Sequence, residues 1–201
     1  MTAVSEKHNE AVTGIILSGG KNRRMGENKA FLEVEGARII DRTIGIFRET
    51  FEETIVVTND PRAYVEFDVK IVTDIFPGKG PLGGLYTGLF YAAFEYAFAT
   101  PCDMPFLNKE FIAFMKSQPR SYDILVPSLP SGFQPLHAIY SKKCLPFIRR
   151  LIDQDVLKIR GFYKQCKTTE ISEAVIHSFD EEEKMFRNLN TRDDLRQITP
   201  T

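Results

Sequence analysis

Short apolar runs of strand length alternate along this sequence with segments of helical spacing, and this alternation limits the possible folds more than any other feature. The first run, TGIILS at residues 13–18, is rich in β-branched residues and is stopped by Gly19 and Gly20. Such a run is typical of a strand that is buried on both faces. Strands alternating with helices predict right-handed crossovers, and therefore a mostly parallel sheet in a three-layer α/β/α arrangement.

The same reasoning divides the rest of the chain into elements. Predicted strands cover residues 31–34, 53–58, 69–73, 96–100, 123–127 and 136–140. Predicted helices cover residues 40–51, 85–94, 110–117, 142–153 and 156–165, and a loop is predicted over residues 78–84. Asn108 is expected to begin the third helix, and Thr191 with Asp194 forms a capping box that predicts one more.

The composition is that of a folded chain with no strong overall charge. Of 201 residues, 43% are hydrophobic and 26% are charged, which excludes disorder for most of the sequence. At ~150 residues per domain, a single domain is predicted over residues 13–201, and the polar residues 1–12 are predicted to be disordered. Because 26 basic and 27 acidic side chains leave a net charge of −1, no basic field favours a nucleic acid partner.

Cysteine spacing and hydropathy bear on the cellular compartment. Cys102, Cys144 and Cys166 lie far apart, so neither a zinc ribbon nor a disulfide framework is predicted. Residues 1–12 carry charges and no apolar core, unlike a signal peptide. The most apolar window, residues 82–99, contains Glu95 and falls short of the ~20 apolar residues that span a membrane. These features predict a cytoplasmic protein without membrane contact.

Ligands of such sheets lie beyond the carboxyl ends of the strands, which directs attention to the segment after the first strand. Residues 17–29 read LSGGKNRRMGENK. Paired glycines let backbone amides approach an anion, and Arg23, Arg24 and Lys29 add three cations suited to a triphosphate. The segment is neither a Walker A loop nor GxGxxG. A turn with a solvated basic face is the alternative interpretation.

Two further segments follow strands. Asp74 precedes Gly80-Pro81-Leu82-Gly83-Gly84, where glycines next to a helix would allow close approach of a ligand, although an ordinary turn explains them equally. Asp103 follows the strand over residues 96–100. A lone carboxylate facing a phosphate loop is a natural Mg²⁺ ligand, and a turn-capping aspartate is the alternative.

Two other residue types invite a catalytic interpretation less strongly. Cys102 has no histidine or asparagine that the sequence places beside it, so a small buried side chain is favoured over a nucleophile. His137, in QPLHA, is favoured as a structural or surface histidine, with catalysis as the lesser alternative.

Four segments, LSGGKNRRMGENK, GPLGG, PCDMPF and NLNTRDDL, occur in this order over about residues 13–195. Together they resemble the motifs of the molybdenum cofactor guanylyltransferases, the MobA family. The resemblance implies a Rossmann-like nucleotidyltransferase sheet. It implies GTP contacts at Leu17, Ser18, Gly19, Lys29, Asp74, Gly80 and Asp103, and catalytic roles for Arg24, Lys29 and Asp103.

The resemblance also carries departures. Ser18 stands where alanine is usual, and Thr58 stands where some relatives have a nucleotide-binding asparagine, so Asn59 is the alternative for that contact. Asn190 matches a late polar residue near the active site.

The implied reaction transfers GMP from GTP to the terminal phosphate of molybdopterin and releases pyrophosphate. Mg²⁺ on Asp103 and, as further partners, proteins that handle the cofactor are implied with it. Cytidylyl transfer to the same cofactor, nucleotidyl transfer to a sugar phosphate, and a non-catalytic nucleotide-binding module are the alternatives. Each of the enzymatic interpretations requires that Asp103 and the loop after the first strand lie at the same crevice.

Overall fold

The order of strands and helices follows the alternation in the sequence. The computed structural model describes residues 11–19 and 28–189. The strands in this part are β1 (Val12–Ser18), β2 (Glu33–Val34), β3 (Ala37–Arg38), β4 (Glu53–Thr58), β5 (Lys70–Thr73), β6 (Tyr96–Pro101), β7 (Ile124–Leu129), β8 (Gly132–Phe133), β9 (Ala138–Ser141) and β10 (Thr168–Ile171).

The helices lie between these strands. The α-helices of the described part are α1 (Ile39–Thr50), α2 (Gly80–Tyr91), α3 (Lys109–Ser117), α4 (Leu145–Asp153) and α5 (Glu173–His177). Short 3₁₀ helices occupy Lys29–Phe31, Pro61–Tyr64, Lys142–Cys144, Ile159–Gln165 and Lys184–Phe186. Within residues 11–19 and 28–189, no helix combines the length and the apolar character needed to cross a bilayer.

β1 lies at the centre of the main sheet. The strand order is β10-β7-β9-β6-β1-β4-β5, and β8 pairs with β7. β1 runs parallel to both neighbours, so that Leu17 lies opposite Val57 on one side and Pro101 on the other. β9 runs antiparallel to β6 and to β7. The predicted mostly parallel sheet is confirmed, with one reversed strand inserted between β6 and β7.

Helices cover both faces of this sheet. α1 and α3 pack with Val12 and Ile16 on one face, and α2 and α4 pack with Ile15 and Leu17 on the other. Every residue of β1 is buried. Burial on both sides explains why the strand lacks the polar alternation of a half-exposed strand. The predicted three-layer α/β/α architecture is therefore confirmed.

Helix α2 begins at Gly80 and not at Leu85, so the loop prediction for residues 80–84 was wrong. Pro81 lies in the first turn of the helix, where its missing N–H would have no intrahelical acceptor in any case. At Gly88 a Cβ would lie 2.6 Å from Cγ2 of Ile15. Gly88, and Gly84 of the segment that suggested a loop, thus let the helix pack directly on β1.

The second half departs further from the prediction. Residues 142–153 form a 3₁₀ turn followed by α4, because Pro146 in the first turn of α4 cannot donate to the preceding turn. The predicted helix over residues 156–165 is the 3₁₀ helix Ile159–Gln165. β8, β10 and α5 are short or partly polar and were not predicted. The capping box at Thr191 lies outside the described residues.

His137 lies in the core and not at the surface. Its ring packs against Phe98, Phe111 and Phe186 at centroid distances of 5.0, 5.8 and 5.1 Å. Neither ring nitrogen has a hydrogen-bond partner among the described residues. Burial lowers the pKa of His137 to about 3, which keeps the ring neutral. The structure thus favours the structural interpretation of this histidine over a catalytic one.

Acid should destabilise the protein through His137. The unfolded chain takes up the proton near pH 6.5 and the folded chain only near pH 3. Between these values the unfolded state binds more protons, so the free energy of unfolding falls as pH falls, by up to about 1.4 kcal/mol per pH unit. His137→Phe fits the surrounding aromatic rings and should flatten the decline, measured by urea unfolding at a series of pH values.

His177→Gln is the control, because His177 lies at the surface and the hydrogen bond to Glu183 raises its pKa. The hydrogen bond between His177 and Glu183 stabilises the folded state at low pH, and this stabilisation is lost as pH rises. The pH dependence is therefore opposite to that of His137. An acid decline in His137→Phe as steep as that of the unmodified protein would contradict the assignment.

Candidate active site

Four parallel strands end side by side at one edge of the sheet, namely the edge formed by their carboxyl ends. β1, β4, β5 and β6 are paired in parallel register, so the residues that follow them are neighbours. These residues include Gly19, Asn59, Asp74 and Asp103. Open α/β sheets bind their ligands at this edge.

Lys29 and Asp103 meet beside the end of β1. The amide N–H of Cys102 donates to the carbonyl of Leu17 at 3.0 Å, which extends the pairing of β6 with β1 to the residue before Asp103. Lys29 Nζ lies 3.7 Å from Asp103 Oδ2, and the two side chains are only 8% and 16% exposed. The two predicted catalytic residues that are described thus lie together. Arg24 and Asn190 lie outside the described residues.

Burial dominates the electrostatics of Asp103. It raises the pKa of the carboxyl above its ordinary value, although the Lys29 ammonium acts in the opposite direction. The backbone is held in place as well, because the N–H of Leu189 donates to the carbonyl oxygen of Asp103 at 2.8 Å. The fold therefore holds this carboxylate where water solvates it poorly, and there a cation compensates its charge more strongly.

A cavity opens on the other side of β1, toward β4 and β5. Its volume is about 610 Å³. It is lined by Leu17, Gly19, Val57, Thr58, Asn59, Asp74, Gly78, Gly80, Pro81 and Gly84. Four of the predicted GTP-contacting residues, Leu17, Gly19, Asp74 and Gly80, therefore share one cavity. Ser18 is not among its lining residues, and its hydroxyl is hydrogen-bonded to the Tyr64 hydroxyl.

Asn59 lies near the position where some relatives have a nucleotide-binding asparagine and this chain has Thr58. The hydroxyl of Thr58 accepts the N–H of Asp60 at 3.1 Å, which uses this side chain within the turn. A Cβ on Gly19 would lie 3.8 Å from Nδ2 of Asn59, so the asparagine amide is next to the exposed backbone of Gly19. Of these two residues, the geometry favours Asn59 as the one that offers its side chain to a ligand.

Asp74 is held by the helix that follows it. One of its oxygens, Oδ1, accepts the Thr87 hydroxyl at 2.9 Å and the N–H of Phe76 at 3.0 Å. Thr87 Oγ1 in turn accepts the N–H of Ile75 at 2.9 Å. Asp74 is thus a turn residue, as the alternative interpretation held, and it also lines the cavity. Oδ2 takes part in none of these contacts.

Gly80 has a backbone requirement of its own. Its φ is +60°, a conformation that residues with a Cβ seldom adopt. This turn brings Gly78, Gly80 and Pro81 to the wall of the cavity.

The thiol of Cys102 is not suited to nucleophilic chemistry. Burial raises its pKa to about 11, and the hydrogen bond with Ser18 offsets only part of this. A protonated thiol is a weak nucleophile. The expectation of an unreactive small side chain agrees with this environment.

Two residues that the motifs did not reveal, Thr87 and Tyr64, form hydrogen bonds with predicted site residues. Thr87 bonds to Asp74, and Tyr64 bonds to Ser18. Thr87 is the one small polar residue among the glycine, proline, leucine and aromatic residues of α2, and that contrast was a signal that could have been used. Tyr64 lies in the segment NDPRAY, which belongs to none of the four motifs. Its partners, Ser18 and Asn28, are distant in sequence, so no local pattern reveals it.

Comparison with family models matches residues 14–169 to the MobA-like NTP transferase domain. The chain belongs to this family. The MobA-like domain accounts for β1 through part of β10, and therefore for the whole edge that carries the cavity and Asp103. The family resemblance stated from the motifs is confirmed.

Named relatives of this MobA-like chain cover nearly its full length. A molybdenum cofactor guanylyltransferase of Desulfosudis oleivorans is 36% identical over 190 residues, which cover 94% of each chain. A probable molybdenum cofactor guanylyltransferase of Peptoclostridium acidaminophilum is 36% identical over 194 residues, covering 93% of this chain and 88% of the relative.

Solved structures share the fold. The molybdopterin-guanine dinucleotide biosynthesis protein A of Archaeoglobus fulgidus superposes with a TM-score of 0.81 at 24% identity, over 93% of this chain and 96% of that chain. The 4-diphosphocytidyl-2C-methyl-D-erythritol synthase of Anaerococcus prevotii gives 0.69 at 13% identity, over 96% of each chain. The same architecture is therefore found in proteins with different names.

Thr87→Val should destabilise the protein by roughly 1–3 kcal/mol, because the valine has the same shape but leaves the N–H of Ile75 and one oxygen of Asp74 without the hydroxyl. Thr87→Ser keeps the hydroxyl and is the control. The free energy of unfolding in urea measures both. A Thr87→Val protein as stable as the unmodified protein would show that these hydrogen bonds do not support the Asp74 turn.

Proposed function

We propose that this protein transfers GMP from GTP to the terminal phosphate of molybdopterin, releasing pyrophosphate. The observation that carries the proposal is the position of β1. Its end is flanked on the β4 side by a cavity of about 610 Å³, and on the β6 side by the strand that leads to Asp103, the partner of Lys29. The names of the relatives, at 36% identity over almost the whole chain, support the same reaction.

The cavity has the properties of a nucleoside pocket. Its volume falls within the range of about 300–1,000 Å³ that small-molecule sites occupy. Its wall is largely backbone and apolar surface, with polar side chains supplied by Asn59 and Asp74. In this proposal the nucleoside of GTP occupies the cavity, and its phosphates pass the exposed backbone of Gly19 toward Lys29.

The reaction needs positioning and charge compensation more than covalent chemistry. A phosphate oxygen of the acceptor forms a bond to the α-phosphorus of GTP. The bond from that phosphorus to the oxygen bridging to the β-phosphate breaks, and pyrophosphate leaves with the electron pair. Lys29 compensates negative charge on the phosphates in a poorly solvated place, which is where such compensation is most effective. Arg24 is assigned the same task from the family resemblance.

The residues present fit a magnesium ion. Asp103 offers one carboxylate at a strand end, partly exposed toward the edge where the phosphates would lie. Mg²⁺ in phosphate-transfer sites is typically held by one or two carboxylates together with phosphate oxygens and water. When bound there, the ion neutralises phosphate charge, which favours attack at phosphorus. Asp103 is the residue of the described part to which we assign it.

Asp103→Ala and Lys29→Ala should each lower turnover by about 10²–10³-fold, the usual effect of removing one charge-stabilising group. Pyrophosphate release with GTP, Mg²⁺ and molybdopterin measures the effect. Lys70→Ala is the matched control, because it breaks the ion pair with Glu53, 3.1 Å long, at the opposite edge of the sheet. If either site variant is folded by calorimetry and keeps normal turnover, the role assigned to that residue is wrong.

A comparison of nucleotides tests the substrate. GTP should support pyrophosphate release in the presence of molybdopterin, whereas CTP, ATP and UTP should support much less. Turnover with CTP in preference to GTP would identify a cytidylyltransferase. Binding of GTP without release of pyrophosphate, in the presence of both Mg²⁺ and acceptor, would contradict the enzyme and favour a nucleotide-binding module.

A further inference from the structure

A buried tyrosine lies under the site and belongs to none of the motifs. Tyr64 is the last residue of the 3₁₀ helix Pro61–Tyr64, which follows β4, and it has no solvent exposure. Its ring packs against Phe31 and Phe67 at centroid distances of 5.2 and 6.3 Å. A phenylalanine would satisfy this apolar environment. The hydroxyl therefore needs a reason other than packing.

The hydroxyl joins two points that are distant in sequence. The hydroxyl of Ser18, at the end of β1, is hydrogen-bonded to the Tyr64 hydroxyl. Asn28 Nδ2 donates to the same oxygen at 2.9 Å. These two residues flank residues 19–27, most of the glycine- and arginine-containing segment. One phenol thus connects Ser18, at the end of β1, with Asn28, the residue directly before Lys29.

Asn28 in turn sets the start of the next turn. Its Oδ1 accepts the N–H of Ala30 at 3.1 Å and caps the 3₁₀ helix Lys29–Phe31. Lys29 is the first residue of that helix, and its side chain is buried with Nζ 3.7 Å from Asp103 Oδ2. A contact that fixes Asn28 therefore fixes the backbone from which Lys29 reaches Asp103.

We propose that Tyr64 is a positioning residue for the transfer reaction, acting through Asn28 to hold Lys29 against Asp103. The proposal rests on the proposed function, since Lys29 is taken there to compensate phosphate charge. Tyr64 is fully buried, so in this proposal it acts through Asn28 and not by contact with the substrate. A displacement of about 1 Å in a charge-stabilising group can cost up to about 100-fold in rate, so a single buried hydrogen bond is sufficient for a large kinetic effect.

The kinetic test compares three variants. Tyr64→Phe keeps the ring and removes the hydroxyl. Asn28→Ser keeps a capping oxygen for Ala30, but its side chain is too short to reach Tyr64. Each should lower kcat by about 10- to 100-fold, with little change in KM for GTP, because the nucleoside cavity lies on the other side of β1. The double variant should be no slower than the worse single variant, since both changes break one connection.

Tyr122→Phe is the matched control. Tyr122 is another buried tyrosine, and its hydroxyl accepts a hydrogen bond from Arg120 Nη1 at 2.6 Å. It precedes β7 and therefore lies at the opposite edge of the sheet. Its loss should change stability and leave kcat unaffected. A Tyr64→Phe protein that behaves in the same way, less stable with normal kcat, would overturn the proposal.

A chemical measurement separates this proposal from the proposed function. Acetylation of lysines in the full chain by an N-hydroxysuccinimide ester, followed by peptide mass spectrometry, reports how well Lys29 is held. Lys29 should react severalfold faster in Tyr64→Phe and in Asn28→Ser than in the unmodified protein. Lys142, whose ammonium donates to the carbonyl of Ala92 at the far edge, should not change.

The combined outcomes are decisive. Suppose that Lys29 is acetylated faster in the variants, but the unmodified protein never releases pyrophosphate. This result would refute the proposed function and still support the role of Tyr64 in positioning Lys29. Unchanged acetylation of Lys29 would overturn the role of Tyr64, whatever happens to kcat. Additive losses of kcat in the double variant would also overturn it, because they would show two independent connections.

Discussion

The parallel pairing of β1 with β4 on one side and β6 on the other is the constraint on which the site depends. The two ladders place Leu17 opposite both Val57 and Pro101, so three strands end at the same level. The cavity on the β4 side and the ion pair on the β6 side are therefore held at a separation set by backbone hydrogen bonds. A reaction between two polyanions needs such fixed spacing, because little covalent chemistry is left for side chains to perform.

The paired strands hold Asp103 in a buried position, although burial disfavours the charged form of its carboxyl. The raised pKa of Asp103 shows that its surroundings oppose the charge, and the nearby Lys29 relieves only part of that opposition. The hydrophobic layers on both faces of the sheet supply the stability that makes such a site tolerable. Buried charged groups that are poorly solvated are typical of functional sites.

The sequence predicted the features that depend on local pattern and motif. The central strand, the capped start of α3 at Asn108 and the grouping of Lys29 with Asp103 all followed from periodicity and from the rule for strand ends. It failed where a residue is explained by a partner far along the chain. Gly83 and Gly84 were interpreted as part of a loop, because the contact that explains Gly84, its close approach to Leu17, is tertiary. Tyr64 was overlooked for the same kind of reason, since both partners of its hydroxyl lie far away in sequence.

The contact between α2 and β1 also bears on the shape of the pocket. Gly88 packs on Ile15, and Gly84, one turn earlier on the same helix, lines the cavity and packs on Leu17. A larger side chain on this face would push the helix away from the sheet and reshape the pocket in the same step. The shape of the pocket and the packing of the sheet therefore depend on one helix face, and neither can change without the other.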